Sequence, residues 1–327
     1  MVENIFSVLN PLTKLEDKHQ YKIFDSHVHI WGHRYLNEYV EYVKKFGVGK
    51  LLGIGDGDLK TKLESKGLAN DIIFCTYLNS YDFLKFKVQK LQNQVDKAHT
   101  KEIRHLKIFL GPMFQKFTHN KIPFRINDPR LDPVYSCIED YDMTVIMHVA
   151  DPDITYMKKY RNINKYGLKK DRINDFSNIL ERFPKIPIIS AHLGSWPENL
   201  DRLGELLDQH SQLNLDTAST RWMIRELGKD LKKSKEWFEK YQDRILFGSD
   251  LGNFEFNVKF FLSKHHRKYY WGSRYWSQRL FWETSYQAPL PFKDKDNPER
   301  TYINGLKLSQ STLEKMYFKN AKELIFK

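Results

Sequence analysis

Two cysteines in 327 residues, Cys75 and Cys137, are too few for a disulfide framework, and neither stands in the CxxC spacing of redox or zinc modules. No run approaches the roughly 18 uninterrupted apolar residues of a membrane helix. The opening stretch MVENIFSVLNPLTKLEDK sets Glu3, Glu16 and Asp17 around a short apolar run, unlike a secretory leader. A cytoplasmic location with no membrane partner is therefore expected. Internal repeats and low-complexity linkers are missing as well, so a single domain over residues 1–327 is expected, with 1–20 as an N-terminal arm. Helix-turn-helix, RNP-like and zinc-finger patterns are absent. The excess of 53 Lys+Arg over 41 Asp+Glu, a net charge of +12, then reads as a solvated basic surface that helps anionic small molecules approach, not as a specific nucleic-acid interface. With 41% hydrophobic and 14% aromatic residues, the bulk of the chain is not disordered.

From residue 21 onward, short β-rich runs alternate with longer segments of helical period. Eight strands are expected at 21–30, 50–56, 71–78, 105–111, 143–149, 186–193, 212–218 and 244–250. Helices are expected at 36–46, 58–68, 82–98, 130–140, 171–183 and 197–209, with a closing helix at 309–326. Strict alternation implies parallel strands, and eight units in this length match a closed (β/α)8 TIM barrel better than an open doubly wound sheet. The glycines of GIGDGD (53–58) miss the last position of a dinucleotide fingerprint, where Asp58 stands, and read as a tight strand exit. Residues 251–305 form a long aromatic-rich insertion after strand 8, holding Phe254, Phe256, Phe260, Phe261, Tyr269, Tyr270, Trp271, Tyr275, Trp276, Phe281, Trp282 and Tyr286. It is expected to cover the face where active sites sit, and it is also a candidate surface for a homodimer.

The sharpest local signal is Asp25-Ser26-His27-Val28-His29. Alternation puts Ile23, Asp25, His27 and His29 on one side of the first strand, with Phe24, Ser26, Val28 and Ile30 on the other. The more apolar set should face the helices, so both imidazoles should point inward. His148, His192 and Asp250 each fall at or near the carboxyl end of a later strand, where this fold builds its sites. The set predicts a divalent ion held by His27, His29, His148 and Asp250, zinc first, with manganese, iron or cobalt as alternatives. Such an ion makes hydroxide available near neutral pH. Asp250 is expected to accept the water's proton, and His192 to hold the substrate oxygen as charge develops. Lys107 lies between the outward Leu106 and Ile108 and should point inward, to meet a substrate carboxylate or pair with a local acid. Asp216, Asp56 and Arg221 are weaker candidates of the same kind.

The segments FDSHVHIWG (24–32), LKIFLGP (106–112), INDPRLDPVYSCIEDYDMTVIMHV (126–149), ISAHLGSWPENLDRL (189–203), LNLDTAS (213–219), DRILFGSD (243–250) and FKNAKEL (318–324), in this order, resemble the amidohydrolase superfamily. The resemblance is narrower to its amidohydrolase-related branch, which contains metal-dependent decarboxylases and lactone hydrolases. It spans roughly residues 21–327 and implies a barrel carrying one divalent metal on residues matching His27, His29, His148 and Asp250, with His192 assisting water or substrate. Lys107 stands on the strand where binuclear relatives carry a bridging carboxylated lysine, whereas many members of this branch hold a single ion. The aromatic segment before Tyr302 sits where relatives elaborate substrate specificity, which makes Glu283 and Arg279 candidate substrate contacts. The expected activity is a metal-dependent hydrolase attacking an amide or lactone carbonyl of a small polar or anionic substrate. Non-oxidative decarboxylation of an aromatic or unsaturated acid on the same metal is the alternative.

Overall fold

The computed structural model describes residues 21–117, 124–253, 263–297 and 299–326. The eight expected strand regions appear in order as β1 (Ile23–His29), β2 (Val48–Gly55), β3 (Ile72–Tyr77), β4 (His105–Phe109), β5 (Thr144–His148), β6 (Ile188–Ser190), β7 (Leu213–Asp216) and β8 (Ile245–Leu246). A short ninth strand, β9 (Leu251–Gly252), follows at once. All are parallel neighbours in the order β8-β7-β6-β5-β4-β3-β2-β1-β9, giving a TIM-like mixed α/β architecture. The two terminal strands are consecutive in the chain. Between them the Ser26 N–H donates to the Phe247 carbonyl at 2.9 Å and the Asp250 N–H to the His27 carbonyl at 2.9 Å.

Period-two patterning separates two apolar layers. Outward residues such as Leu106, Ile108, Val145 and Met147 pack under the helices. Inward ones, among them Phe24, Leu52, Cys75, Ile146 and Leu246, form a floor that Ala321 and Ile325 of the last helix close from below. The crossing helices lie near their expected positions, for example Lys169–Arg182 and Leu200–Gln209. The second begins later than Pro197 suggests because Asn199, not Pro197, caps it, accepting from the Arg202 N–H at 3.2 Å. Two further helices, Thr220–Leu227 and Leu231–Lys240, follow β7. Among the described residues, no helix is long and apolar enough to cross a membrane.

One expectation needs correction. In β1 the register passes from Asp25 opposite Leu51 to Val28 opposite Gly53, three residues against two. This bulge breaks the alternation. Phe24 therefore joins the inner floor, Ile23 the outer layer, and Asp25 turns outward to Tyr275. The helix of the aromatic segment, Lys264–Glu283, packs between the helices Leu36–Val43 and Thr220–Leu227, where Trp271, Tyr275, Trp276, Phe281 and Trp282 are buried. Burying that apolar surface under the ring of helices is a strong driving force. Phe254, Phe256, Phe260 and Phe261, like the arm at 1–20, lie outside the described residues.

Candidate active site

The inward residues at the carboxyl ends of the strands are polar, in contrast to the floor below them. His27 Nδ1 donates to Asp216 Oδ2 at 2.7 Å, and Tyr77 Oη meets His29 Nδ1 at 2.6 Å. With both Nδ1 atoms engaged, the Nε2 atoms turn to Asp250 Oδ1, at 3.6 Å from His27 and 3.0 Å from His29. One ligating atom from each of His27, His29 and Asp250 lies within 4.8 Å of the others. Two imidazoles whose far nitrogens are already held, facing one carboxylate, form a donor set suited to a borderline divalent ion.

Burial decides the protonation states. The His27 imidazole is pushed down to about 4 by burial and by the Lys107 ammonium, against the pull of Asp216. It is thus neutral near pH 7, and its Nδ1–H is the donor to Asp216. Burial works to raise Asp216, but His27, His192 and Lys107 outweigh it and bring it down to about 2. Burial acts on Asp250 in the same sense, and His192, His29 and His27 together hold its carboxyl well below the usual carboxylate range. Lys107 points inward as expected, with Nζ 3.2 Å from His27 Nε2. Its pKa is lowered by burial, against the attraction of Asp216 and Asp250. The ammonium and a metal ion would compete for one imidazole lone pair.

His192 sits on a turn that sequence patterning does not reveal. Residues His192, Leu193, Gly194 and Ser195 all have positive φ, at 59°, 51°, 63° and 58°, so the chain leaves β6 through one turn of left-handed helix. Such backbone costs a non-glycine residue about 1–2 kcal/mol. It persists because buried groups hold it: Asp216 Oδ1 accepts the His192 N–H at 2.8 Å, and Ser195 Oγ accepts the Ala150 N–H at 3.4 Å. The result is an imidazole lodged between His27 and His148, with ring centroids 5.2 and 4.6 Å away. His192 Nε2 meets His148 Nδ1 at 3.0 Å, while its buried Nδ1 has no partner among the described residues. Burial, with His148 and His27 nearby, pushes His192 down to about 3, so it too is neutral. Ser219 and Asp250, after β7 and β8, also have positive φ, 66° and 59°.

His148 stands one ring further from the three-donor group than expected. Its Nε2 lies 3.2 Å from Asp151 Oδ1, and Tyr160 Oη donates to the same carboxylate at 2.8 Å. Behind the site, Asp25 accepts the N–H groups of His27 and Ser249 at 3.1 and 3.0 Å and the Tyr275 hydroxyl at 2.6 Å. Burial raises its pKa to about 6 despite these bonds. A cavity of about 430 Å³ opens above His29 and Asp250. Five cations line it, Lys159, Arg221, Arg274, Lys293 and Lys295, against the carboxylates of Asp250 and Asp296. Trp31, Tyr270 and Phe292 supply aromatic faces.

Arg221 is thus in the cavity wall, and Lys107 lies beneath it. Glu283 does not line this cavity. It is half-buried elsewhere on its helix, bound by Arg279 Nε at 2.7 Å and Tyr317 Oη at 2.9 Å. The i,i+4 spacing of Arg279 and Glu283 on a helix explains that pairing. Asp56 is an exposed residue that pairs with Lys62 at 3.2 Å. Sequence reasoning passed over Tyr77 and Asp151. Tyr77 could have been found, since it continues the inward set of Ile73 and Cys75 at period two.

No curated protein is significantly similar to this chain. Several solved structures share the fold at low identity. A putative amidohydrolase from Staphylococcus aureus has a TM-score of 0.52 at 12% identity, covering 93% of this chain and 99% of that one. A probable 2-pyrone-4,6-dicarboxylic acid hydrolase from Acinetobacter baumannii, with citric acid bound, has a TM-score of 0.50 at 9% identity over 93% and 98% of the two chains. A 5-carboxyvanillate decarboxylase from Novosphingobium aromaticivorans, complexed with manganese and 4-hydroxy-3-methoxy-5-nitrobenzoic acid, has a TM-score of 0.50 at 9% identity over 94% and 96%. The amidohydrolase family model matches residues 91–327, nearly three quarters of the chain, and together with the strand-end histidines and Asp250 it identifies this protein as a member of the amidohydrolase family.

Proposed function

We propose that this protein is a metal-dependent hydrolase that adds water to an amide or lactone carbonyl of a small anionic substrate. The observation that carries the reading is the convergence of His27, His29 and Asp250 at the bottom of a cavity walled by cations. The same reading takes the sheet as a closed (β/α)8 barrel, supported by β8 and β9 being two ends of one stretch, with residues 251–305 as an insertion after strand 8. His27, His29 and Asp250 would hold one divalent ion, zinc first, with His148 proposed as a further ligand. When bound, the ion supplies Lewis acidity toward water and a carbonyl oxygen.

The remaining chemistry belongs to the side chains. Asp250, kept ionised, accepts a proton at its carboxylate as water attacks and returns it to the leaving group. His192, neutral and with Nδ1 unpartnered, offers a hydrogen bond to the oxygen on which charge develops. Asp216 fixes the His27 tautomer and the backbone of His192 together. Lys159, Arg221 and Arg274 of the wall draw in an anionic substrate and orient it.

Decarboxylation of an aromatic acid is the second reading. It is favoured by the cavity's flat faces: Trp31 stacks on His29 at 5.3 Å, and the Arg274 guanidinium lies 4.4 and 4.1 Å from the rings of Tyr270 and Phe292. Metal analysis of protein purified without added metal tests both readings. A near-stoichiometric divalent ion is expected. No ion, and no activity gained on supplying zinc, manganese, iron or cobalt, would remove both. Product analysis then separates them, since carbon dioxide release marks decarboxylation and net addition of water marks hydrolysis.

A further inference from the structure

The segment Lys293-Asp294-Lys295-Asp296 alternates between exposed lysines and buried aspartates. Asp294 accepts from Arg225 Nη1 at 2.6 Å and from the Thr301 hydroxyl at 3.2 Å, and Asp296 accepts from Trp222 Nε1 at 3.2 Å. Arg221 and Lys159 each reach Asp296 at 3.4 Å, and the Lys158 ammonium donates to its carbonyl. One helix, Thr220–Leu227, thus holds both acids through Arg221, Trp222 and Arg225. The backbone bends at 295–296, where the Asp296 N–H donates to Asp294 Oδ1 at 3.1 Å. With both aspartates anchored inward, Lys293 and Lys295 are delivered to the cavity wall, where neither has an ion-pair partner among the described residues. The anchor is continuous with the catalytic end, because the Trp222 ring meets the His192 ring at 5.1 Å.

We propose that Lys293 and Lys295 form a cation clamp for a second anionic group of the substrate, a carboxylate or phosphate remote from the reacting carbonyl. This rests on the proposed function only in placing the reacting group at His27, His29 and Asp250. Desolvating one anion does not require this many cations, whereas a substrate with two acid groups would use the strand-end site for one and the clamp for the other.

Calorimetric titration of the full chain tests the clamp, using benzoate, isophthalate and 3-phosphonobenzoate as probes on protein as purified and after chelation. At least one of the two diacids is expected to bind about tenfold tighter than benzoate, roughly 1.4 kcal/mol, and which diacid is tighter names the second group. The Lys293→Ala/Lys295→Ala double variant should remove most of that gap and leave benzoate within about twofold. Equal affinities, a gap untouched in the double variant, or no binding of any probe would overturn the clamp. The two readings fail separately. A protein without metal but with a lysine-dependent gap loses only the proposed function, and an active metalloprotein without the gap loses only the clamp.

Discussion

Two buried polar clusters in this protein differ in what they leave unsatisfied. Away from the cavity, Arg279 binds both Glu283 oxygens, at 2.7 and 2.9 Å, and Tyr317 adds a hydroxyl at 2.9 Å, so the pair is closed on itself. At the mouth, His192 Nδ1 is buried without a partner and Asp250 is 30% exposed toward a cavity. Both clusters hold charged residues on ordered elements and both are largely buried. What separates them is that the first pairs its charges with each other, whereas the second keeps an unpartnered imidazole nitrogen and a carboxylate that faces a cavity.

Asp250→Asn should show the open cluster at its most sensitive. Asparagine tolerates the left-handed backbone at this position, where φ is 59°, so the fold should persist with an unchanged melting temperature. An amide cannot accept the proton, and turnover should fall about 10³-fold, the middle of the range for losing a general base. Steady-state kinetics beside a thermal melt read both quantities. Retained turnover would take Asp250 out of its role.

Glu283→Ala breaks the closed cluster and should do the opposite. It leaves Arg279, almost fully buried, without its partner, which costs about 3 kcal/mol of stability. Denaturant unfolding should show that loss while KM, measured on the folded protein, stays within about twofold of wild type. A raised KM with unchanged stability would restore Glu283 as a substrate contact and erase the distinction between the clusters.

A smaller effect is expected behind the proposed metal ligands. Asp216 accepts from His27 Nδ1 and from the His192 backbone. Asp216→Asn keeps the shape but presents the wrong hydrogen-bonding pattern to one of these donors, and the affinity for zinc or manganese should fall about 10- to 100-fold. Competition with a chromogenic chelator measures it without relying on turnover.

The pattern of inward and outward side chains made much of this legible in advance. Runs such as TVIMH carry their own register, and so His148, Lys107 and both histidines of β1 point where period two sends them. What escaped was local backbone that breaks the period. The bulge in β1 turns Asp25 away from its expected face to bind Tyr275, a contact between residues 250 apart that no neighbouring residue announces. The position of Glu283 escaped for a related reason. One aromatic-rich helix turns Tyr270 and Arg274 to the cavity and Glu283 to Arg279 and Tyr317, and composition alone does not say which residue goes where.

The left-handed turn at 192–195 supplies the finest test of how rigidly the open cluster is held. Gly194 is its one glycine, with φ at 63°, and a Cβ placed there would meet Leu203 Cδ2 at 2.5 Å. That atom is the far end of a flexible side chain, so it can move aside, and the main cost of Gly194→Ala is the left-handed backbone itself, about 1 kcal/mol. His192 is fixed separately by Asp216 and packed against Trp222, so the turn should accept the strain without moving the imidazole. A melting temperature lowered by a few degrees with kcat nearly unchanged is expected. A drop in kcat larger than the stability loss would mean that the turn, and not the residues around it, sets the position of His192.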